Sequence, residues 1–309
     1  MKINDRLPIS VVILTYNEEA NIEACLNSIH GWVKDIFIID SFSIDKTVSI
    51  ASKYTSNIYK HEFTQYFEQL NWAFKELPIS SEWIMRLDAD EVITTELKEE
   101  LFKVFSCLDL NVCGLYTKRK LIFMDKWIRY GGYYPIWLLR IFKKDSANCE
   151  KRFMDEHIIL KKGACKYLKN AFIDKNNKDL QWWIKKHNNY SSREAVDLLN
   201  IEYNFYKRTN FTPKDLLLQA PRKRILKESV YVRLPLFFRV FLYFLYRYFI
   251  RLGFLDGLRG LIWHFLQGFW YRFLVDAKIF MVKRKVKLGS YDIKEVIKSE
   301  LGMDCRIMN

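Results

Sequence analysis

Trp83-Ile84-Met85-Arg86-Leu87-Asp88-Ala89-Asp90-Glu91 is the stretch on which the reading of the whole chain turns. Residues 83–87 are largely apolar and follow the turn-forming Pro78, Ser80 and Ser81, which predicts a strand. That strand runs into two carboxylates one residue apart. In extended backbone, side chains at i and i+2 share a face, so Asp88 and Asp90 point the same way. Paired oxygen anions at a strand's carboxyl end suit a hard divalent cation, Mg²⁺ or Mn²⁺, and through it a phosphate. Ligands of open α/β sheets sit just outside those strand ends. A solvated acidic turn that caps the next helix at Thr94 or Thr95 is the plainer reading of the same residues.

What precedes the pair favours a site. Residues 9–14 are β-branched and apolar, as in a strand buried on both faces, and Thr15-Tyr16-Asn17-Glu18-Glu19 ends the run. A helix is expected next, with Asn21 as its N-cap, apolar Ile22, Leu26 and Ile29, and Gly31 past its end. A second strand over 35–39 stops at Asp40-Ser41, and Asp45 is placed to cap a helix over 47–54. A third strand over 56–60 and a helix over 67–77, carrying Gln69 and Asn71, complete the series. Alternating strands and helices predict an α/β fold with a mostly parallel sheet and right-handed crossovers. Thr15, Asn17, Asp40 and Asp88 then lie together along one rim.

Ser10-Val11-Val12-Ile13-Leu14-Thr15-Tyr16-Asn17-Glu18-Glu19, Ile38-Ile39-Asp40-Ser41, Gln69-Leu70-Asn71 and Leu87-Asp88-Ala89-Asp90-Glu91 come in an order and spacing that resembles family 2 glycosyltransferases. The resemblance implies the GT-A fold, a Rossmann-like nucleotide-sugar-binding domain. Trp127-Ile128-Arg129-Tyr130-Gly131-Gly132-Tyr133-Tyr134-Pro135 and Leu252-Gly253-Phe254-Leu255-Asp256-Gly257 resemble the bacterial subgroup that adds glucose to the lipopolysaccharide inner core. By that resemblance Thr15, Asn17, Glu18 and Asp40 hold the uridine, with Gln69 and Asn71 near the nucleotide. Asp88 meets the ribose and metal region, and Asp90 binds the cation bridging the diphosphate. Sugar transfer needs a carboxylate to take the acceptor proton. The subgroup carries His-Glu-His where this chain has Asp155-Glu156-His157, which makes Glu156 the expected base and Asp155 the runner-up. His157 is a candidate metal or diphosphate ligand, against the plainer reading of a satisfied structural histidine.

Further on, 95–107 reads as an amphipathic helix and 112–121 and 138–142 as strands, with an irregular segment around Trp127 between them. Residues 178–206 have helical spacing and no evident chemistry. The expected division is a nucleotide-sugar-binding domain over 1–230 and a helical membrane-interfacial region over 231–309. The chain carries +14, and residues 231–288 hold eleven Lys/Arg against Asp256 and Asp276, or +9 of it. A membrane-spanning helix needs about 20 apolar residues. Arginines at 239, 247, 251, 259 and 272 interrupt every candidate, which predicts helices lying on an anionic membrane surface. Arg239, Arg247 and Arg251 are expected on one face, opposite an apolar one. The opening residues show no signal-peptide pattern, and six scattered cysteines fit a reducing compartment.

The activity the resemblance implies is inverting transfer of a hexose, glucose, from a UDP-sugar to a lipid-linked saccharide in lipopolysaccharide, capsule or other surface-polysaccharide synthesis. The place is the cytoplasmic face of the bacterial inner membrane, held peripherally. A nucleotidyltransferase is the rival enzyme class, but its Gly-rich basic phosphate loop is replaced here by the acidic, glycine-free 15–19. An RNA-binding module is disfavoured because the basic residues are interleaved with Leu and Phe, so no nucleic-acid partner is expected.

Overall fold

The computed structural model describes residues 6–151, 156–206, 230–289 and 291–305. The chain divides into two compact units. The first comprises Met1–Trp127, Tyr134–Glu150 and His157–Asn177; the second comprises Ile128–Tyr133, Lys151–Glu156 and Lys178–Asn309. The boundary expected between residues 230 and 231 therefore falls inside the second unit. The reason is the long helix near 180–203. Its buried Glu194 pairs with Arg272 and accepts the Tyr271 hydroxyl, so this helix packs with the carboxyl-terminal helices.

The first half of unit one alternates as expected: β1 (Leu7–Thr15), α1 (Ile22–Ile29), β2 (Val33–Asp40), α2 (Thr47–Ala51), β3 (Ile58–Lys60), α3 (Tyr66–Glu76) and β4 (Trp83–Asp88). β1 lies between β2 and β4 and is parallel to both, with β3 parallel outside β2. Ile9, Val11, Val12 and Ile13 are fully buried, which explains the unbroken apolar run in β1. Asn21 does not cap α1: its amide donates to Glu18, and its Oδ1 accepts from the Asn177 N–H. Asp45 does bond the Thr47 N–H at the start of α2.

After β4 come β5 (Glu91–Ile93), α4 (Thr95–Phe105), β6 (Val112–Phe123), β7 (Lys126–Trp127), β8 (Ile136–Lys143), β9 (Ala147–Cys149), β10 (Ile158–Leu160) and β11 (Ala164–Lys175). Thr94 caps α4 by accepting from the Leu97 N–H. The sheet runs β3-β2-β1-β4-β8-β6-β11-β5, with β7 hydrogen-bonded to β6 and β9–β10 a separate hairpin. β8 is antiparallel to both β4 and β6, so the sheet is mixed in its second half. β11 lay outside the sequence reading because it buries only Leu168 and Phe172 and presents lysines along the rest.

Unit two is helical: α5 (Leu180–Tyr203), α6 (Phe238–Leu245), α7 (Gly257–Trp263), α8 (Tyr271–Gly289) and α9 (Ile293–Leu301), with wider π-turns over Tyr246–Ile250 and His264–Trp270. The expected face of three arginines does not form. Arg239 is buried and its guanidinium grips Asp276, which also accepts the Phe237 N–H. Arg247 lies against the Tyr133 ring, and Arg251 alone of the three is exposed. A buried arginine needs a fixed carboxylate, and breaking such a pair costs about 3–5 kcal/mol. Apolar side chains do remain outside: Phe238, Phe241, Phe249 and Ile250 are all at least half exposed. Among the described residues no helix is long and apolar enough to cross a membrane.

On α5, His187 stacks on Trp183 with ring centres 3.5 Å apart, and burial pushes its imidazole down from 6.5 to about 4. The unfolded chain therefore binds this proton more readily than the folded one. The stabilisation is complete above pH 6.5 and is lost as pH falls towards about 4. His187→Gln, which cannot titrate, should flatten the dependence of urea stability on pH across that window by roughly 1–3 kcal/mol. An unchanged slope would show that His187 titrates normally.

Candidate functional site

β1, β2 and β4 end level. Thr15 pairs with Asp40 in register, and Leu14 with Asp88. The rim anticipated from the alternation is therefore present. Asp40 is 1% exposed. Its carboxylate accepts from Thr15 Oγ1 at 3.0 Å and from the Ser43 N–H at 2.9 Å, and it also takes the Ser43 hydroxyl. Asn17, at φ 54°, donates its N–H to Ser43 Oγ and accepts the Ile44 N–H on Oδ1. The Glu18 N–H goes to Thr47 Oγ1, and buried Gln69 donates to Ser41 Oγ and the His61 carbonyl. These side chains tie the loop after β1 to the loop after β2. The side chains of Tyr16, Phe42 and Ile44 stand exposed on those loops. Asn71 does something else: both ends of its amide are taken up by the Cys149 backbone, at 2.9 Å each, which anchors β9 to α3.

The acidic pair is asymmetric. Asp88 accepts from Arg86 Nη2 at 2.6 Å and from the Tyr66 hydroxyl at 3.1 Å, and Arg140 Nη2 lies 3.5 Å away. Beneath it the buried Glu91 accepts from Arg140 through one oxygen and from the Asp88 N–H through the other. Burial, followed by the charge of Asp88, raises the Glu91 carboxyl well above its usual range. Burial lowers Arg140 to about 9, so it stays charged at neutral pH. Cys25 donates to the Asp88 carbonyl at 3.6 Å, and burial, reinforced by the nearby carboxylates, keeps its thiol protonated. Asp90 has none of these cations. Asn176 donates to its Oδ2 at 2.8 Å, and its Oδ1 has no protein partner among the described residues. Asp88 is thus compensated by the protein, whereas Asp90 presents an open carboxylate oxygen.

Arg86, Arg140, Tyr66, Glu91 and Asn176 were missed in the sequence. The signal was there for two of them: an arginine inside an apolar strand, at 86 or 140, is almost never buried without a carboxylate. Of the proposed bases, Asp155 lies outside the described residues and Glu156 belongs to unit two. His157 is held by Glu150, whose Oε1 lies 3.0 Å from both its Nδ1 and its backbone N. Among the described residues no three His, Cys, Asp or Glu side chains gather as a metal-ligand group. The expected trio of Asp88, Asp90 and His157 is not among such groups, and Glu150 takes the Nδ1 side of the imidazole.

Residues 10–154 match the family model described as glycosyl transferase family 2. Over that stretch the chain is similar to family 2 glycosyltransferases. An uncharacterized glycosyltransferase of Rickettsia typhi is 25% identical over 294 residues, covering 92% of this chain and 89% of its own. The lipopolysaccharide core biosynthesis glycosyltransferase LpsC of Rhizobium meliloti is 28% identical over 120 residues, covering 37% of this chain and 43% of its own. Among solved structures, S. aureus TarS 1-349 aligns over 95% of this chain and 90% of that one, with 15% identity and a TM-score of 0.43. A divalent cation fits this rim on one observation, the open Asp90 oxygen beside a second carboxylate. Mg²⁺ commonly needs only one or two protein carboxylates when substrate phosphates complete its shell.

Asp40→Asn would set an amide against donors that now meet a carboxylate. It should cost about 2 kcal/mol of stability, read as a lower urea midpoint, because hydrogen bonds to charged groups contribute about 1.5–3 kcal/mol. An unchanged midpoint would remove Asp40 from the frame of this rim.

Proposed function

We propose that the chain is an inverting glycosyltransferase that moves a hexose, glucose, from a UDP-sugar to a lipid-linked saccharide of lipopolysaccharide or another surface polysaccharide. The observation that carries this reading is the rim itself: strand ends level at Thr15, Asp40 and Asp88, with Asp90 open beside them. The loops after β1 and β2, locked by Asp40 and Asn17, form the seat for the uridine. Asp90, with Asp88 beside it, would hold Mg²⁺ or Mn²⁺, whose charge offsets that of the departing diphosphate. Arg86 and Arg140 fix Asp88 so that it can face the ribose without moving. Glu156, with Asp155 as the alternative, takes the proton from the acceptor hydroxyl as that oxygen attacks the anomeric carbon. The motifs at 127–135 and 252–257, together with the likeness to LpsC, support a lipopolysaccharide-type acceptor.

The exposed aromatic and aliphatic side chains of unit two, set in a basic stretch, support peripheral attachment at the cytoplasmic face of the inner membrane. Phe249→Ser with Ile250→Ser should reduce co-flotation with vesicles containing phosphatidylglycerol. Equal flotation of variant and parent would place that face elsewhere.

Incubation with Mn²⁺ or Mg²⁺ and a panel of nucleotide sugars, reading released nucleotide, tests the activity. UDP-glucose should be consumed, and EDTA or Asp90→Asn should nearly abolish turnover while the fold persists. Glu156→Gln should keep UDP-sugar binding and slow transfer by about 10²–10⁴. Full activity in EDTA would sink the cation assignment. A mild Glu156→Gln beside a crippled Asp155→Asn would exchange the two roles.

A further inference from the structure

Among the described residues of unit two, two converging guanidinium groups have no carboxylate partner, and we propose that they bind a phosphate group carried by the acceptor. The frame is the segment Ile128–Tyr133. Buried Asp256 accepts the backbone N–H groups of Arg129 at 3.0 Å and Tyr130 at 3.1 Å, and the Gly131 N–H donates to the Arg251 carbonyl at 2.9 Å. The ring of His264, 3.3 Å from Asp256, fills the place a Gly131 side chain would take: a Cβ there would fall 2.1 Å from it. Gly131 and Gly132 are both left-handed, at φ 64° and 77°. The two motifs at 127–135 and 252–257 therefore lock together, and Gly132 is left at the mouth of the turn.

The space beside Gly132 is where the two charges meet. The point at which its side chain would begin is 3.7 Å from Arg251 Nε, 3.8 Å from Arg251 Nη2 and 3.9 Å from Arg247 Nη2. The Gly132 N–H has no hydrogen-bond partner among the described residues. Arg247 is rigid: its guanidinium lies 3.9 Å over the Tyr133 ring and Nη1 bonds the Tyr243 hydroxyl, while its buried Nε has no partner among the described residues. Other buried arginines of this unit have a carboxylate, Asp276 for Arg239 and Glu194 for Arg272. Among the described residues Arg247 and Arg251 have none. Two like charges held together gain from an anion placed between them. Guanidinium forks arriving from two residues, with a backbone N–H, suit the several oxygens of a phosphate. The phosphate site stands on this geometry alone; its assignment to the acceptor rests on the glycosyl-transfer reading.

The full chain is titrated calorimetrically with inorganic phosphate at constant ionic strength, and separately with UDP and Mn²⁺. Flotation with phosphatidylcholine vesicles, with and without phosphatidic acid, forms the third arm. Arg251→Gln, an exposed change, should weaken phosphate binding by about fivefold or more, and Arg247→Gln with Arg251→Gln should abolish it, with UDP affinity unchanged. If phosphatidic-acid-dependent flotation falls in parallel, the phosphate is that of a lipid headgroup; if flotation holds, it is on the saccharide. Should the double variant not fold, Arg251→Gln decides alone. Phosphate affinity unaltered by Arg251→Gln overturns the site, and UDP affinity falling in step overturns its assignment to the acceptor. Phosphate binding in a protein that transfers no sugar keeps the site and sinks the transfer reading instead.

Discussion

Asp88, held between Arg86 and Arg140, is the contact on which the first unit depends. Asp88, Asp90 and Glu91 place three acids within four residues at the end of one strand. Left alone they would repel one another, and Glu91, which is buried, would meet the full cost of desolvation. Arg86 comes from the strand that carries them. Arg140 comes from β8, laid antiparallel against β4. The change from parallel to antiparallel pairing at that point is therefore also what delivers the second cation. Sheet topology and site electrostatics are one arrangement, and it leaves Asp90 as the acid not already matched by the protein.

The helical unit follows the same rule with different partners. Its long basic stretch holds two acids, and both are buried: Asp276 beneath Arg239, and Asp256 beneath the backbone of residues 129–130 and the ring of His264. Each is used where a buried donor needs a fixed acceptor, since an unmatched buried polar group costs more than a matched one contributes. Spending its acids inside leaves this stretch basic and apolar on the outside. Rings as well as charges hold the interior: Trp183 meets Trp263 and Trp270, and Tyr133 meets Trp263 and His264.

The sequence by itself determined the alternation of strands and helices up to β4, the level rim of Thr15, Asp40 and Asp88, and a threonine cap at 94 or 95. Those features follow from local patterns, apolar runs that end in polar turns, which any nearby chain would respect. The two glycine-containing motifs were visible too, but as separate signatures. Only the tertiary structure decided that they interlock, because the clash that demands Gly131 comes from His264, more than a hundred residues away. It also decided that Asp40, Asn17 and Gln69 build the rim from within, that Asn71 serves β9, and that Glu150 claims His157. Arg239 is the plainest case. Its spacing from Arg247 and Arg251 suggested a common charged face, and a single carboxylate on α8, Asp276, draws it into the interior instead. Spacing states which side of a helix a residue lies on; the partner that meets it there is set by a different part of the chain.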